Sequence, residues 1–188
     1  TPGADLLLRH VGLNPTRVGV INILKLMGAN IEIVSKSTVG GEPVGDIRVK
    51  SAELSGIDIP EDQVPLAIDE FPVLFIAAVC AKGQTVLSGA EELRVKESDR
   101  IQVMADGLAQ LGVHTDVRPD GIVIKPAVIK GGVVHSHGDH RIAMAFAVAS
   151  LRAESDIVIK DCAKVATSVP KFVELAGGVG MNIQVEEV

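Results

Sequence analysis

The stretch from Gln84 to Val117, QTVLSGAEELRVKESDRIQVMADGLAQLGVHTDV, holds a short apolar strand, a charged segment, an apolar helix, a glycine and an alternating strand, in that order. The same order recurs, and the helix ends align as LMGANIEI (26–33), QLGVHTDV (110–117) and GVGMNIQV (178–185). Each contains a glycine where a left-handed residue would end a helix: Gly28, Gly112 or Gly180. Repeated units of this kind pack on their neighbours around a shared core. We therefore predict an α/β (α+β) fold of repeated strand–helix units, with no linker dividing the chain.

Two further apolar stretches predict helices between these units. FPVLFIAAVCA (71–81) is apolar on every side and predicts a buried helix, whereas DHRIAMAFAVASLR (139–152) is polar only at its start. Each follows a strand pair with Gly- or Pro-marked turns, NIEIVSKSTVGGEPVGDIRVKS (30–51) and HTDVRPDGIVIKP (114–126). The alternation in the strand after each glycine predicts a sheet with one exposed face.

Composition excludes several classes of function. Aromatic residues make up 2% of the 188 residues and the net charge is −6, so general binding of nucleic acid is not expected. No stretch reaches the roughly 20 apolar residues that span a bilayer, so no membrane partner is expected. Cys80 and Cys162 lie in or beside apolar runs, and we expect buried free thiols in a reducing, cytoplasmic setting.

Three polar segments stand at the starts of apolar helices: IDEFP (68–72), RVKESDR (94–100) and GDHR (138–141). Helix N-termini carry free N–H groups and a partial positive charge, and added Lys and Arg side chains strengthen an anion site there. Together the segments predict helices that converge at their N-termini on a phosphorylated or carboxylated small molecule.

Each segment also has a structural interpretation, which the sequence alone leaves open. Asp69, Asp139, and either Ser98 or Asp99 could each cap the helix that follows. In KVATSVP (164–170), capping of the last helix by Thr167 or Ser168 is favoured over a ligand contact.

The functional interpretation gives the same segments chemical roles. Asp69 could act as a base or as a clamp on a hydroxyl group. Lys96 and Arg100 share one helical face, and the pKa of the nearby Glu97 carboxyl is tunable by charge and burial. Arg141 could bind a carboxylate or phosphate with two hydrogen bonds.

His140 could act as a general acid or base. It could also bind a metal together with His135 and His137, although alternation along a strand explains these histidines equally well.

Four segments in this order, IDEFP, EELRVKESDRI, DHRIAMAFAVA and VATSVPKFVELA, resemble the C-terminal half of the 5-enolpyruvylshikimate-3-phosphate (EPSP) synthase family, and LNPTRVGVINILKLMGANIEI matches it too. The segment GGEPVGDIRVKSAELSGIDIPEDQVPLAIDE is most similar to the class II branch, which includes glyphosate-tolerant enzymes. The resemblance covers essentially the whole chain. It implies an inside-out barrel of two similar domains, each built from three βαβαββ units, with the active site between them.

The resemblance also implies a reaction. The enolpyruvyl group of phosphoenolpyruvate would pass to the 5-hydroxyl of shikimate 3-phosphate with release of phosphate, in the shikimate pathway of aromatic amino-acid synthesis. No metal or organic cofactor is expected.

Roles carry over at the matching motif positions. Asp69 matches the proton acceptor that also contacts shikimate hydroxyls, and Glu97 matches the carboxyl that moves a proton at the phosphoenolpyruvate methylene. Lys96 matches the lysine near shikimate 3-phosphate and the reacting oxygen. The phosphoenolpyruvate ligands would be Arg100, Arg141 and His140.

The sequence departs from the family pattern in three ways. Thr167 stands near the place where many members have a lysine, as in class II, and Val169 replaces the Phe that is usual there. Residues 1–188 are expected to be a C-terminal domain lacking its first strand and helix. The N-terminal domain, which supplies a basic residue and a Ser-rich loop to the site, is expected to be a missing partner. The isolated chain should therefore be inactive.

Two alternatives remain at this point. A UDP-N-acetylglucosamine enolpyruvyl transferase would share the fold and the donor but would use a loop cysteine, which neither Cys80 nor Cys162 matches. A non-catalytic scaffold domain would have no need for so many charges at buried helix ends.

Overall fold

Two strand–helix–strand–strand units and a third unit of one strand and two helices follow one another along the chain in the computed structural model, which describes residues 1–186. The first unit comprises β1 (Asp5–Gly12), α1 (Gly19–Leu26), β2 (Asn30–Val39) and β3 (Glu42–Lys50), followed by α2 (Phe71–Cys80). The second comprises β4 (Thr85–Leu87), α3 (Arg100–Gln110), β5 (Thr115–Arg118) and β6 (Gly121–Ile124), followed by β7 (Gly132–His135) and α4 (His140–Ala149). The third comprises β8 (Ile157–Lys160), α5 (Val165–Ser168) and α6 (Phe172–Gly178). Short 3-10 helices occupy Pro15–Arg17, Glu61–Gln63, Pro65–Ala67, Glu91–Val95 and Ser150–Arg152.

The first two units have the same sheet topology. Their strand orders are β1-β3-β2 and β4-β6-β5, and in each sheet the last strand lies between the other two and runs antiparallel to both. The two outer strands are therefore parallel to each other and are connected through the helix, which is a crossover connection. The shared strand order confirms the repeated unit and the α/β (α+β) fold class that were predicted from the sequence. β7 and β8 form a separate parallel pair.

The three glycines of the repeat behave as the alignment predicts. Gly28, Gly112 and Gly180 have φ angles of 93°, 81° and 94°, in the left-handed region that ends helices and that glycine occupies without a steric penalty. The strand predicted after Gly180 is wrong, because 181–186 have no strand conformation. A strand is held by hydrogen bonds to a neighbour, and this segment pairs with no strand of the described chain.

The core is mainly aliphatic, with three buried phenylalanines, and is centred on α2 and α4. α2 is apolar on all sides and buries most of its residues: Phe71, Pro72, Leu74, Phe75, Ile76, Ala78 and Val79. α4 packs against it and buries Ile142, Ala143, Ala145, Phe146, Ala147 and Ala149. Both helices were predicted from their apolar runs. No helix in the described part of the chain is both long and apolar enough to cross a membrane.

The prediction of buried cysteines is wrong. Cys80 and Cys162 are both free and both exposed. Cys80 is the last residue of α2, and Cys162 lies in the loop after β8, so neither is on the buried part of its apolar run. Their thiols therefore give no independent support for a reducing compartment.

A close approach of α3 to α4 sets the spacing of the two helices whose first turns carry the charged segments. A Cβ atom added to Gly107 on α3 would lie 2.3 Å from the Phe146 ring of α4, which is closer than real contacts allow. Only glycine therefore fits this point of contact.

We predict that Gly107→Ala lowers the free energy of unfolding by about 1–3 kcal/mol, because it overpacks the core. An exposed helical glycine should respond in the opposite direction, and Gly177 in α6 has open space where a Cβ would be. Gly177→Ala should stabilise by up to about 1 kcal/mol through helix propensity. Urea unfolding of the two variants measures both values. Equal stabilisation by the two substitutions would contradict the close contact.

Candidate active site

The charged segments that precede α2, α3 and α4 come together in space. Arg100, the first residue of α3, lies 3.3 Å from Asp69, which stands two residues before α2. Arg141, in the first turn of α4, donates a hydrogen bond of 3.1 Å to the Asp69 backbone carbonyl. The predicted convergence of these helix N-termini is therefore present in the structure.

A fully buried guanidinium lies at the centre of this cluster. The Arg100 side chain is 1% exposed, although a cation in the first turn of a helix faces the positive end of the helix dipole. Three carboxylates compensate it: Nε donates to Asp139 at 2.9 Å, and the other two nitrogens donate to Asp69 and Glu97. Without these partners a buried charge would cost several kcal/mol.

Asp139 joins the starts of α3 and α4. Its Oδ1 caps α4 by accepting a hydrogen bond of 2.9 Å from the Arg141 backbone N–H. Its Oδ2 accepts from Arg100 and, at 3.0 Å, from the Ser98 hydroxyl. Burial acts to raise the pKa of Asp139, but the hydrogen bond and charge of Arg100 outweigh it and hold the pKa below its usual value. One carboxylate thus serves as a helix cap and as the counter-ion of Arg100.

Asp69 contacts the largest number of cations. Its Oδ2 accepts from Arg17 at 3.0 Å and lies 3.8 Å from Arg141, while its Oδ1 lies 3.3 Å from Arg100 and 3.9 Å from Lys96. Burial acts to raise its pKa, but the Arg17 hydrogen bond and the charges of Arg141 and Lys96 dominate and lower it. Asp69 is therefore an ionised carboxylate at neutral pH, available as a proton acceptor.

The capping alternatives are now resolved. Asp69 does not cap α2, since no side chain does so, whereas Asp99 caps α3 by accepting from the Gln102 N–H at 3.0 Å. Capping of the last helix by Thr167 or Ser168 is wrong: α6 has no side-chain cap, and Thr167 donates to the Lys164 carbonyl within the short helix α5.

Most of the predicted site residues share this cluster. Asp69, Lys96, Glu97, Arg100 and Arg141 are linked by ion pairs. His140 opens α4 between Asp139 and Arg141, but within residues 1–186 its side chain makes no hydrogen bond. The metal alternative is not supported, because no three metal-ligating side chains come together among those residues.

Sequence reasoning missed three members of the cluster. Arg17 contacts both Asp69 and Glu70, and Glu70 also accepts from Arg141 at 3.3 Å. Asp139 was considered only as a cap. The repeat contained a signal for Arg17, which stands nearly the same distance before Gly28 as Arg100 does before Gly112.

The arrangement can bind anions and move protons. Lys and Arg side chains at helix N-termini bind phosphate and carboxylate groups. Ionised Asp69 and half-exposed Glu97 provide two carboxyl groups within reach of one bound molecule. Arg94 is structural: it donates to the carbonyls of Arg118 and Pro119 and so ties this segment to the β5–β6 turn.

Comparison with known proteins identifies the family of the chain. The profile of EPSP synthase (3-phosphoshikimate 1-carboxyvinyltransferase) matches residues 1–175. The 3-phosphoshikimate 1-carboxyvinyltransferase of Nitrosococcus oceani is 65% identical over 97% of this chain, and that of Methylococcus capsulatus is 64% identical over 98%. This chain spans 41% and 42% of those two proteins, so it corresponds to about two-fifths of their length.

Solved structures give the same result. An EPSP synthase from Acinetobacter baumannii superposes with a TM-score of 0.97 at 55% identity, over 100% of this chain and 44% of that one. The enolpyruvyl transferase NikO from Streptomyces tendae has a TM-score of 0.74 at 18% identity, over 96% of this chain and 39% of its own, and shows the shared fold alone.

We predict that Asp139→Asn destabilises the chain by about 3–5 kcal/mol, because it removes the only fully buried counter-ion that the described residues give Arg100 while keeping the capping oxygen. Asp99→Asn is the matched control: Asp99 also caps a helix and pairs with an arginine, Arg94, but both side chains are partly exposed. It should cost at most about 1 kcal/mol.

The ion pair between Asp139 and Arg100 also predicts that the stability depends on pH. The folded-state pKa of Asp139 lies below the ordinary value of 3.8, so its stabilisation is present above that value and is lost as the pH falls through the lower folded pKa. The difference in unfolding free energy between wild type and Asp139→Asn should therefore be constant near neutrality and shrink below about pH 4. Urea unfolding from pH 7 to pH 2 measures it, and a difference that is independent of pH would contradict the ion pair.

Proposed function

The chain belongs to the EPSP synthase family, and we propose that it forms one half of the active site of a 3-phosphoshikimate 1-carboxyvinyltransferase. In this reaction the 5-hydroxyl oxygen of shikimate 3-phosphate bonds to the central carbon of phosphoenolpyruvate and phosphate leaves. The observation that carries the proposal is the meeting of Asp69 with Arg100 and Arg141, in the first turns of α3 and α4, and with Lys96, which lies four residues before α3 in extended conformation and not on its helical face.

The chemistry needs an acid and a base in one anion-binding site. Addition places a proton on the methylene carbon, which becomes a methyl group, and removes a proton from the hydroxyl. Elimination then removes a proton from this methyl carbon as phosphate departs, and the methylene group forms again. We assign acceptance of the hydroxyl proton to Asp69 and movement of the methylene proton to Glu97. Fixed cations that face the developing charge favour both steps because they need little reorganisation.

The substrate anions are assigned to the cations of the same cluster. Lys96 is proposed to lie near shikimate 3-phosphate and the reacting oxygen, since its ammonium is 3.9 Å from Asp69. Arg100 and Arg141 are proposed to hold phosphoenolpyruvate, with His140 beside them at the start of α4. The guanidinium groups suit this role because they form paired hydrogen bonds to carboxylate and phosphate.

The rest of the proposed site lies in the portion of the relatives that this chain does not match. Residues 1–188 are proposed to be the C-terminal domain, and the other domain is proposed to be its partner. The reaction uses phosphoenolpyruvate as an activated donor and needs no cofactor. As an enzyme acting on two polar metabolites, the protein is proposed to work in the cytoplasm.

A chimaera tests the proposal. Residues 1–188 replace the matching 41% of the Nitrosococcus oceani protein, to which they are 65% identical. Phosphate release from phosphoenolpyruvate should then depend on shikimate 3-phosphate, and the isolated chain should release none. A folded chimaera that binds neither substrate would overturn the proposal and favour a scaffold domain.

We predict that Glu97→Gln in this chimaera lowers kcat by about 100- to 10,000-fold, as expected for loss of a general acid or base. Glu91→Gln is the control, because Glu91 is an exposed carboxylate in the preceding short helix. Its kcat should stay within about twofold of wild type, since isolated surface charges contribute little. Steady-state phosphate assays measure both, and equal effects would contradict the assignment of Glu97.

A further inference from the structure

We propose that Arg17 is a positioning residue for Asp69: it holds Oδ2 and leaves Oδ1 directed at the reacting hydroxyl. The inference rests on the proposed function, because it concerns the carboxylate assigned as proton acceptor. Arg17 is not among the residues proposed to bind either substrate.

The two oxygens of Asp69 have different surroundings. One Arg17 nitrogen donates to Oδ2 at 3.0 Å and to Glu70 Oε1 at 3.4 Å. Oδ1 lies beside Arg100 and Lys96, at 3.3 Å and 3.9 Å. Oδ2 also lies 3.8 Å from Arg141, which is proposed to hold phosphoenolpyruvate. Lys96, on the Oδ1 side, is the cation proposed to lie near the reacting oxygen, so we assign Oδ1 to the hydroxyl and Oδ2 to the contact with Arg17.

The local structure fixes Arg17 against the segment that carries Asp69. Asn14 caps the short helix Pro15–Arg17 by accepting from the Thr16 N–H at 3.0 Å. Two residues later the backbone touches the chain just before Asp69: a Cβ on Gly19 would lie 2.5 Å from the Leu66 carbonyl carbon. This contact joins α1 to the short helix Pro65–Ala67 without an intervening side chain, so the Arg17 backbone has little freedom relative to Asp69.

An ordinary surface ion pair would not position a reacting carboxylate. The chain contains such a surface pair, which serves as a comparison. Arg48 and Asp5 form two hydrogen bonds, of 2.9 and 2.7 Å, on the β1–β3 sheet, where both side chains are nearly half exposed. Arg17 is equally exposed, at 49%, but its partner Asp69 is only 23% exposed. Among the interactions that oppose the effect of burial on the pKa of Asp69, the Arg17 hydrogen bond is the largest.

The effect of Arg17 at neutral pH is geometric. The pKa of Asp69 lies below its ordinary value, and that carboxylate would remain ionised at pH 7 with or without one of its four cations. Without Arg17, however, Oδ2 would lose the hydrogen bond that holds it, the carboxylate would be free to rotate, and Oδ1 would leave the direction of the hydroxyl. Small misplacements of a reacting group lower the rate steeply.

The test compares Arg17→Ala, Arg17→Lys and the matched control Arg48→Ala in the chimaera. Arg17→Ala should lower kcat by roughly 10- to 100-fold, with KM for both substrates within about threefold of wild type. Arg17→Lys should recover part of kcat, because an ammonium can donate to Oδ2. Arg48→Ala should retain wild-type kcat, and its thermal midpoint should be close to that of Arg17→Ala.

Two results would overturn the positioning role. One is a kcat for Arg17→Ala equal to that of Arg48→Ala. The other is a raised KM with unchanged kcat, which would make Arg17 a substrate ligand.

A measurement on the chain alone separates this inference from the proposed function. Carbon NMR titration of Asp69 should give a higher pKa in Arg17→Ala than in wild type or Arg48→Ala. An unchanged pKa would overturn the contact even if the chimaera is active. An inactive wild-type chimaera with the expected pKa rise would instead count against the proposed reaction alone.

Discussion

The buried contact between Arg100 and Asp139 is the constraint on which the candidate site depends. A guanidinium in the first turn of α3 is disfavoured by the helix dipole and by burial, so it is stable only with a carboxylate beside it. Asp139 is itself held in place as the cap of α4. Arg100 also reaches Asp69 in front of α2, and the starts of three helices are thereby fixed to one another. Removal of Arg100 would leave the Asp139 charge buried without its cation, and removal of Asp139 would leave Arg100 with only the two partly exposed carboxylates of Asp69 and Glu97.

The repeat explains why these helix starts can meet at all. Two units with the same strand order place their crossover helices in equivalent positions, and α2 and α4 follow the two units and pack together. Glycines at contact points bring the elements closer than other residues would allow, at Gly107 between α3 and α4 and at Gly19 between α1 and the segment before α2. Charged residues in or just before the first turns of these helices therefore come together, because the packing of the helices brings their N-termini close to one another.

Positive and negative side chains are equal in number in this cluster. Its cations are Arg17, Lys96, Arg100 and Arg141, and its carboxylates are Asp69, Glu70, Glu97 and Asp139. In the proposed site, an anionic substrate would compete with carboxylates already in place. The same cations would then both bind the substrate and hold the proposed acid and base. A basic group from the portion of the relatives outside this chain would add the attraction that such a balanced half lacks.

The sequence alone determined the features that depend on neighbours along the chain. The apolar run of α2, the left-handed Gly28 and Gly112, and the candidate caps Asp99 and Asp139 all follow from interactions within a few residues, so their patterns are local, although the sequence left Ser98 open beside Asp99. The charged segments at the helix starts were found in the same way. Their resemblance to a known family supplied roles that composition and spacing could not.

Only the tertiary structure decided which distant groups meet. Arg17 contacts a carboxylate 52 positions away, and Arg100 contacts Asp139 across 39 positions. No local pattern specifies such pairs, because they depend on how helices pack. The strand predicted after Gly180 fails for the same reason, since a strand exists through its hydrogen-bonded neighbour and not through its own alternation. Local energetics thus set the elements of this protein, while long-range packing and charge pairing set its candidate site.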